Sequence, residues 1–401
     1  DKSLSIRTIL LASQAVGISK VSNILESEDV LNALKVIKKL GINYKKKNNF
    51  YEIHGFGLNG FNPKNNLTIN AGNSGTLGRL ILSLLIKTDK KIRLIGDKSL
   101  SKRDFSRVTK PLELFGAKIK SNKNRLPVTI QGTSFVRPIN YVENIGSAQI
   151  KTACCLGALN APGKTKILAR KSRNHTELLL KYLKIPIRVK SNKQFDLIEI
   201  DGLQQFNAFE YVIPGDISSS SFFIVLTILS KNSKLIIRNV NVNESRIGIV
   251  KILKMMNCKI LFKNKKIYNG EKVADIIIKS TEKIKPLKCP KNLNSQAIDE
   301  FLLIFLVAAK AKGVSSFSDL SELNQKESPR LILGSKILNM MGIKTILTKS
   351  SIKIFGNPNI QVNNTIKIKD YLKDHRIFMM SVISALTVGG YWKLYDPDSI
   401  R

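Results

Sequence analysis

The stretch Leu40-Gly-Ile42 closes an amphipathic segment with helical spacing and opens a short basic segment, and the chain repeats this ending. A glycine just after the last helical residue suits the left-handed conformation in which many helices end. The alternation of apolar and basic residues that follows predicts a strand. Four more endings place an apolar residue, a glycine or polar residue and a second apolar residue in the same order: Phe115-Gly-Ala117, Leu183-Lys-Ile185, Met256-Asn-Cys258 and Met341-Gly-Ile343.

These endings recur at intervals of roughly 75 residues, a period that is too long for a solenoid repeat and suits a small subdomain of helices and strands. By the same interval a sixth ending would fall beyond residue 401, and the chain begins without a methionine or a preceding strand. The repeat therefore predicts an α/β (α+β) protein of six similar units. We expect the sixth unit to be incomplete and both natural termini to be missing.

A shorter motif, Asp1-Lys-Ser-Leu-Ser-Ile-Arg7, returns almost unchanged as Asp97-Lys-Ser-Leu-Ser-Lys-Arg103 and more loosely as Gly215-Asp-Ile-Ser-Ser-Ser220. Serine hydroxyls cap the backbone N–H groups at a helix start, and that end of a helix attracts anions. Lysine and arginine add charge, and arginine can bind a phosphate or carboxylate through two donors. A single copy is typical of an ordinary capped helix. Two copies with cations at fixed offsets indicate an anion-binding site.

Composition places the chain among globular proteins, because 43% of its residues are hydrophobic and its mean hydropathy is −0.04. Its 401 residues exceed the usual size of one hydrophobic core, so we expect two domains. The most apolar stretch, Phe301–Ala309, has charged neighbours on both sides. It is about half as long as a bilayer span requires, so it predicts a buried helix and no association with a membrane.

The cysteines and histidines argue against a metal site. The four cysteines lack the spacing of metal ligands, and two of them are adjacent in an apolar segment. We expect them to be buried thiols of a reducing compartment, the cytoplasm. Only three histidines are present, so we expect no metal and no cofactor. The cysteines are Cys154, Cys155, Cys258 and Cys289.

The net charge of +37 raises the question of a nucleic-acid-binding protein. The lysines are spread along the whole chain, however, and the sequence has no zinc knuckle, recognition-helix signature or interleaved aromatic and basic residues. We therefore expect no specific nucleic-acid partner, since charge alone supports only non-specific, salt-sensitive binding.

Six further motifs stand at the expected starts of helices or turns and together supply many cations and a few carboxylates. The first is a glycine-rich turn whose backbone amides can approach an anion closely. It is not a Walker loop, because no Gly-Lys-Ser or Gly-Lys-Thr follows. Such a set suits a ligand pair with several phosphate or carboxylate groups. The motifs are Asn70–Arg79, Ser147-Ala-Gln-Ile-Lys151, Ser172-Arg-Asn-His-Thr-Glu177, Ile298-Asp-Glu300, Lys326-Glu-Ser-Pro-Arg330 and Asp374-His-Arg376.

In this order, from Asp1 to Arg401, the motifs resemble those of the 5-enolpyruvylshikimate-3-phosphate (EPSP) synthase family, in the bacterial branch called class II. Gly72-Asn-Ser-Gly-Thr76 resembles the family's phosphoenolpyruvate loop, and Ser147-Ala-Gln149 its clamp on shikimate phosphate. Pro214-Gly-Asp216 resembles the crossover into a second domain. The resemblance implies the enolpyruvyl transferase fold, with three βαβαββ units around buried helices in each of two domains, residues 1–213 and 214–401.

The chain departs from the family pattern at three places. Asp104 stands where the family usually has proline, Pro329 where it has aspartate, and Asn174 where it has aspartate. None of these changes removes a ligand-binding side chain that the resemblance implies.

The resemblance implies transfer of the enolpyruvyl group of phosphoenolpyruvate to the 5-hydroxyl of shikimate 3-phosphate, with release of phosphate. Asp299 is the implied base for the hydroxyl, and Glu327 the implied proton carrier at the methylene carbon, with Lys2 sharing proton transfer. The implied ligands of shikimate 3-phosphate are Lys2, Ser3, Arg7, Ser147, Ala148, Gln149, Arg173, Asp299 and Lys326. The implied ligands of phosphoenolpyruvate are Lys2, Asn73, Gly75, Arg103, Gln149, Glu327, Arg330 and Arg376.

Two other functions stay open. The related UDP-N-acetylglucosamine enolpyruvyl transferase shares the fold, but no cysteine lies in the loop region 91–126, and Ser147-Ala-Gln-Ile-Lys151 matches the shikimate enzyme. A non-catalytic basic binding protein on the same fold would need one of the acid, base or phosphate positions to be lost, and all are present. We expect an enzyme that acts as a monomer.

Overall fold

A computed structural model describes residues 1–400, which form two compact units. The first unit comprises Asp1–Pro214 together with the short segment Tyr268–Glu271, and the second comprises Gly215–Ile267 and the chain from Lys272 onward. Each unit has its own cluster of buried apolar side chains. No helix within residues 1–400 has both the length and the apolar character needed to span a bilayer.

The first unit consists of helices that alternate with short strands, as the periodicity of the sequence predicts. Its elements are α1 (Lys2–Ala12), β1 (Val16–Ser22), α2 (Glu28–Lys39), β2 (Tyr44–Lys46), β3 (Phe50–Phe56), β4 (Leu67–Asn70), α3 (Gly75–Leu84), β5 (Lys91–Ile95), α4 (Ser106–Leu114), β6 (Lys118–Asn122), β7 (Arg125–Gln131), β8 (Asn140–Glu143), α5 (Ala148–Ala158), β9 (Lys164–Arg170), α6 (His175–Tyr182), β10 (Ile187–Ser191), β11 (Phe195–Asp201) and β12 (Glu210–Val212).

Three four-stranded sheets in this unit share one topology. In the order β4-β5-β7-β6, the first two strands are parallel and the other pairs are antiparallel. The order β8-β9-β11-β10 repeats this pattern. In the remaining sheet, β12-β1-β3-β2, the late strand β12 takes the position of the first strand and pairs in parallel with β1. The βαβαββ repeat therefore organises the whole unit.

The second unit follows the same plan with shorter sheets. Within residues 1–400 its sheets are β13-β15-β14, β16-β18-β17 and the parallel pair β19-β20. Its elements are α7 (Ile217–Leu229), β13 (Lys234–Asn241), α8 (Gly248–Met255), β14 (Ile260–Tyr268), β15 (Glu271–Lys279), α9 (Asn294–Ala297), α10 (Phe301–Ala309), β16 (Gly313–Phe317), α11 (Arg330–Met340), β17 (Thr345–Leu347), β18 (Ile352–Gly356), β19 (Thr365–Ile368), α12 (His375–Val388) and β20 (Tyr391–Leu394).

Helix ends confirm the repeat on which the sequence interpretation began. Helices α2, α4, α6, α8 and α11 are each followed by one residue with a positive φ, and the next apolar residue donates its N–H to a carbonyl five residues back. Ile42, for example, donates to Ile37 over 3.0 Å. This bond and the positive φ define the Schellman ending. The positive-φ residues are Gly41, Gly116, Lys184, Asn257 and Gly342.

The buried segments also agree with the sequence. All nine residues of α10 are buried, which confirms the expectation for Phe301–Ala309. The four cysteines are buried free thiols, as expected for core residues. Burial raises the pKa of Cys289 to about 11 and that of Cys258 to about 12, so both are poor nucleophiles.

Candidate active site

The residues that the sequence singled out fall into two sets, one in each unit, and nearly all lie at the start of a helix. In the first unit they precede or begin α1, α3, α4, α5 and α6. In the second unit they precede or begin α10, α11 and α12. Because backbone N–H groups point out of these helix starts, both sets lie where anions are favoured.

The glycine-rich turn enters α3 directly. Ser74 is the cap, and its Oγ accepts a hydrogen bond from the N–H of Leu77 over 3.3 Å. A methyl group added at Gly75 would lie 2.9 Å from Nη1 of Arg103 and 3.2 Å from Nη1 of Arg79. Glycine therefore lets two guanidinium groups approach the same backbone position. The helix therefore begins inside the glycine-rich turn, at Gly75, before the continuous apolar run of its later turns.

Neutral oxygen atoms orient the two arginines beside this turn. Arg103 donates to Oδ1 of Asn73 over 3.1 Å. Arg79 donates to Oε1 of Gln149 over 2.6 Å, and the Gln149 amide donates to Oγ1 of Thr76 over 3.3 Å. Gln149 therefore ties the start of α5 to the start of α3. Asn73, Gly75, Arg103 and Gln149 are brought together as the sequence predicts, and Arg79 joins them.

Ser147, Ala148 and Gln149 are consecutive at the start of α5. Ser147 is the cap, with its Oγ 3.5 Å from the N–H of Ile150. The Glu143 carboxylate, at the end of β8, accepts hydrogen bonds from three successive backbone N–H groups before the helix, those of residues 145, 146 and 147. The turn that presents Ser147 is therefore fixed from inside the protein.

Arg7 is 5% exposed and reaches two other helices from α1. Its Nε donates to Oγ1 of Thr176 over 3.0 Å, and its Nη2 donates to Oγ1 of Thr152 over 3.2 Å. Its Nη1 donates to the carbonyl oxygen of Ser3, a second predicted site residue, over 3.0 Å. These bonds fix the guanidinium against α5 and α6, with Ser3 on the same side of α1.

A buried ion pair joins the chain neighbours of Thr152 and Thr176, with Nζ of Lys151 at 2.7 Å from Oε1 of Glu177. Both side chains are almost completely buried, so the pair joins α5 to α6 in a low-dielectric environment. Arg173 lies just before α6 and is half-buried. The pair therefore steadies the helix that follows Arg173.

Lys2 begins α1 and forms an ion pair with Asp29, whose Oδ2 is 2.8 Å from its Nζ. Asp1 caps this helix and accepts a hydrogen bond from the N–H of Leu4 over 3.0 Å. In the second copy of the motif, Asp97 accepts from Leu100 over 2.7 Å, but this copy forms a short 3₁₀ turn at Leu100–Lys102, and α4 starts later. The aspartates of the two copies therefore have the same capping role in different structures.

In the second unit, a single buried guanidinium organises the predicted residues. Arg330 is 2% exposed and donates to Asp374 through Nε over 2.9 Å and through Nη2 over 3.2 Å. It also donates to Glu327 through Nη2 and to Asp299 through Nη1 over 3.5 Å. Burial opposes its charge, but Glu327, Asp374 and Asp299 raise the pKa of Arg330 above its usual value. The group therefore stays a cation.

The other two predicted binding cations of this unit, Lys326 and Arg376, also lie beside Asp299. Nζ of Lys326 is 3.2 Å from its Oδ1. Arg376 donates to the carbonyl oxygen of Asp299 over 2.9 Å and lies 3.8 Å from Oε1 of Glu300. Asp299, Lys326, Glu327, Arg330 and Arg376 are therefore close together, as the sequence predicts.

Sequence reasoning missed the residues that hold these groups in place. In the sequence, Asp374 is only one residue of the motif Asp374-His-Arg376. In the structure it accepts hydrogen bonds from Arg330, from Ser328 and from the N–H of Arg376. Glu300 accepts a hydrogen bond from the buried Ser218. Asp374 and Thr176 belong to two of the six motifs at helix starts, and this position is the sequence feature that could have identified them. For Glu143 and Thr152 there was none, because their partners depend on the tertiary fold.

Comparisons with known proteins agree with this geometry. A family model described as EPSP synthase (3-phosphoshikimate 1-carboxyvinyltransferase) matches residues 1–401. A 3-phosphoshikimate 1-carboxyvinyltransferase from Ruthia magnifica is 38% identical and aligns over 100% of this chain and 90% of its own length. The enzyme of that name from Streptococcus mutans is 36% identical over 97% of this chain and 89% of its own length.

Solved structures give the same result. EPSP synthase from Acinetobacter baumannii superposes with a TM-score of 0.86 at 32% identity, over 100% of this chain and 90% of that one. The enolpyruvyl transferase NikO from Streptomyces tendae has a TM-score of 0.76 at 12% identity, covering 100% of this chain and 89% of that one, and so shares the fold. The expected enolpyruvyl transferase fold is confirmed.

The family match and the named relatives confirm the function that the motifs implied. The chain therefore belongs to the EPSP synthase family, and it transfers the enolpyruvyl group of phosphoenolpyruvate to the 5-hydroxyl of shikimate 3-phosphate with release of phosphate.

Proposed function

We propose that proton transfer in this reaction is carried out by the carboxylates of the second unit, Asp299 and Glu327. Asp299 removes the proton of the 5-hydroxyl, and Glu327 delivers a proton to the methylene carbon of phosphoenolpyruvate. Lys2 shares proton transfer with them. The observation that carries this assignment is the contact of both carboxylates with one buried guanidinium, Arg330. A fixed cation favours ionised carboxylates, the form from which Asp299 acts as the base. Glu327 must take up a proton before it can deliver one to the methylene carbon, and it becomes a base once that proton is transferred.

The proposed binding residues divide by unit. In the first unit, shikimate 3-phosphate is held by Ser3, Arg7, Ser147, Ala148, Gln149 and Arg173, and phosphoenolpyruvate by Asn73, Gly75, Arg103 and Gln149, while Lys2 contacts both substrates. In the second unit, Lys326 and Asp299 bind shikimate 3-phosphate, while Glu327, Arg330 and Arg376 bind phosphoenolpyruvate. Support comes from the short contacts within each set, since oriented guanidinium groups bind phosphate and carboxylate through paired donors.

The chemistry requires three proton movements. The methylene carbon of phosphoenolpyruvate gains a proton while the 5-hydroxyl loses one and its oxygen bonds to the adjacent carbon. The new methyl group then loses a proton as phosphate departs, which restores the double bond. Protonated Glu327 gives its proton to the methylene carbon and takes one back from the methyl group, while Asp299 accepts the hydroxyl proton and releases it to the departing phosphate or to solvent. The cations offset the charges of the two anionic substrates.

The test replaces each carboxylate by its isosteric amide. Asp299→Asn and Glu327→Gln should each lower kcat by roughly 10²- to 10⁴-fold, the usual contribution of a positioned acid or base. Asp319→Asn is the control, because its carboxylate is more than half exposed in a surface pair with Lys291. Shikimate 3-phosphate should bind Glu327→Gln nearly as well as the parent but should bind Lys2→Ala much more weakly. Near-parental turnover in either amide variant would exclude that carboxylate from proton transfer.

We further propose that the domains are residues 1–213 and 214–401 and that the enzyme works as a cytoplasmic monomer. The four free buried thiols support a reducing compartment. Light scattering on the purified chain tests the monomer, because a mass near twice 44.8 kDa would contradict it.

A further inference from the structure

Glu143 is a buried carboxylate with no part in the proton transfers described above. It is the last residue of β8 and is 1% exposed. Three residues separate it from Ser147, the cap of α5. The strand therefore delivers a charged group beneath the turn that leads to the proposed shikimate 3-phosphate ligands.

Three consecutive backbone amides converge on this carboxylate. Oε1 accepts the N–H of Ile145 over 2.9 Å and that of Ser147 over 3.1 Å, and Oε2 accepts the N–H of Gly146 over 2.9 Å. Gly146 has a φ of +79°, a left-handed conformation that side chains other than glycine rarely adopt. Successive amides arranged in this way form a concave binding site for an anion. Here the anion is a side chain of the protein itself.

Placing a carboxylate there is costly for the fold. Burial raises the pKa of Glu143, although the N–H groups of Ser147, Gly146 and Ile145 and the charge of Lys151 act to lower it. A well-packed apolar residue of similar size often stabilises a protein more than a buried charged group does. What the carboxylate does provide is a fixed conformation for the turn, because three hydrogen bonds to one group leave residues 145–147 little freedom.

The fixed turn is continuous with two residues that contact other parts of the first unit. Ser147 caps α5, and Gln149 accepts from Arg79 over 2.6 Å and donates to Thr76 over 3.3 Å. A shift of the turn by a few tenths of an ångström would therefore move Ser147 and also disturb the contacts of Gln149 with α3.

We infer that Glu143 is a positioning residue for substrate binding: its carboxylate holds the amides of residues 145–147 so that Ser147, Ala148 and Gln149 are oriented to receive shikimate 3-phosphate. This inference rests on the proposed function of Ser147 and Gln149. It assigns Glu143 an effect on substrate affinity, transmitted through the turn, and none on the chemical step.

The test is Glu143→Gln, which preserves shape. Its amide keeps one oxygen but places an NH₂ group against the N–H of Gly146, so two donors face each other. We expect the KM for shikimate 3-phosphate to rise about tenfold, the effect of about 1.4 kcal/mol, with kcat changed less than about threefold. Hydrogen exchange of residues 142–149 should become faster. The matched control is Glu199→Gln on β11 of the same sheet, whose carboxylate lies 3.9 Å from Lys166.

The outcomes separate the inference from the proposed site. A rise in this KM for Glu143→Gln but not for Glu199→Gln supports the inference. If Ser147→Ala and Gln149→Ala raise the KM while Glu143→Gln changes only the melting temperature, Glu143 is structural and the inference is overturned. If Ser147→Ala, Gln149→Ala and Glu143→Gln all leave the KM for shikimate 3-phosphate unchanged, the proposed binding site is wrong, and the inference is wrong with it. Should Glu143→Gln not fold, Glu143→Asp replaces it with the same reading, because the shorter carboxylate reaches fewer of the three amides.

Discussion

Helix α1 of the first unit has an acidic cap, Asp1, but α3 and α5 of that unit differ in their caps from α10 and α12 of the second. In the first unit, α3 and α5 are capped by Ser74 and Ser147, whose neutral hydroxyls accept from backbone N–H groups. In the second unit, the residues at the cap positions of α10 and α12 are Glu300 and Asp374. A neutral cap leaves the partial positive charge of the helix start in place, while an acid offsets it. In the site proposed above, the same repeated fold therefore presents neutral helix starts to anions in the first unit and acidic helix starts beside the proposed proton carriers in the second.

The largest effect that this contrast predicts follows removal of the acid before α12. In Asp374→Ala, the buried Arg330 loses its two bonds to that carboxylate, and Ser328 and the N–H of Arg376 lose theirs. Breaking a buried ion pair on one side costs about 3–5 kcal/mol. Urea denaturation should show this loss in the free energy of unfolding. Asp319→Asn, which removes an exposed pair and keeps a residue suited to the left-handed backbone at that position, should cost less than about 1 kcal/mol. Equal losses for both variants would contradict the structural role of Asp374.

The next effect concerns the guanidinium itself. In Arg330→Lys, a single ammonium replaces the fork that contacts Asp374, Glu327 and Asp299. A hydrogen bond to a charged group contributes about 1.5–3 kcal/mol, so kcat/KM for phosphoenolpyruvate should fall by about one to two orders of magnitude. Arg238→Lys, at an exposed position of the same unit, should keep its activity. A fully active Arg330→Lys enzyme would mean that positive charge alone is required there.

A smaller effect is expected where glycine begins α3 in the first unit. In Gly75→Ala, the new methyl group lies 2.9 Å from Nη1 of Arg103, a flexible side-chain end that can move. The KM for phosphoenolpyruvate should rise up to about tenfold, the upper part of the range for one added methyl group in a packed site. Gly78→Ala in the same helix meets its neighbours only at 3.4 Å or more and should leave this KM unchanged. Equal KM values for both variants would place the ligand away from Gly75.

The smallest effect tests the neutral cap directly. Ser74→Ala removes the hydroxyl that accepts from Leu77, which should cost about 1 kcal/mol of stability. Measured in the same urea experiment, this loss should be well below that of Asp374→Ala. Equal losses would mean that Ser74 and Asp374 contribute equally to the free energy of unfolding, which would contradict the contrast between the two kinds of cap.

Local sequence signals predicted much of the fold. The five helix endings and the buried helix α10 depend on residues close together in the chain, such as Gly41 and Ile42, and the structure confirms them. The motifs also identified residues that cluster within each unit, because helix starts carry recognisable glycine, serine and acidic residues.

Long-range partners could not be read from the sequence. The pairing of β12 with β1 involves only three residues of β12 and has no local pattern. The acceptors of Arg7, Thr152 and Thr176, are ordinary helix residues until the fold brings three helices together. No local pattern in the sequence marks Glu143 as buried, because its contacts with three amides depend on the left-handed turn at Gly146.

The position of β12 has a consequence for synthesis of the protein. During translation, the sheets β4-β5-β7-β6 and β8-β9-β11-β10 can each assemble from one contiguous stretch of nascent chain. The sheet β12-β1-β3-β2 is complete only after β12 (Glu210–Val212) has been synthesised. Until then the edge of β1 that pairs with β12 stays open, although most of the first unit has already been made. An open strand edge is a site of wrong pairing between chains. Ribosome stalling or truncation before residue 210 should therefore yield aggregation-prone products, whereas release after β12 closes that edge.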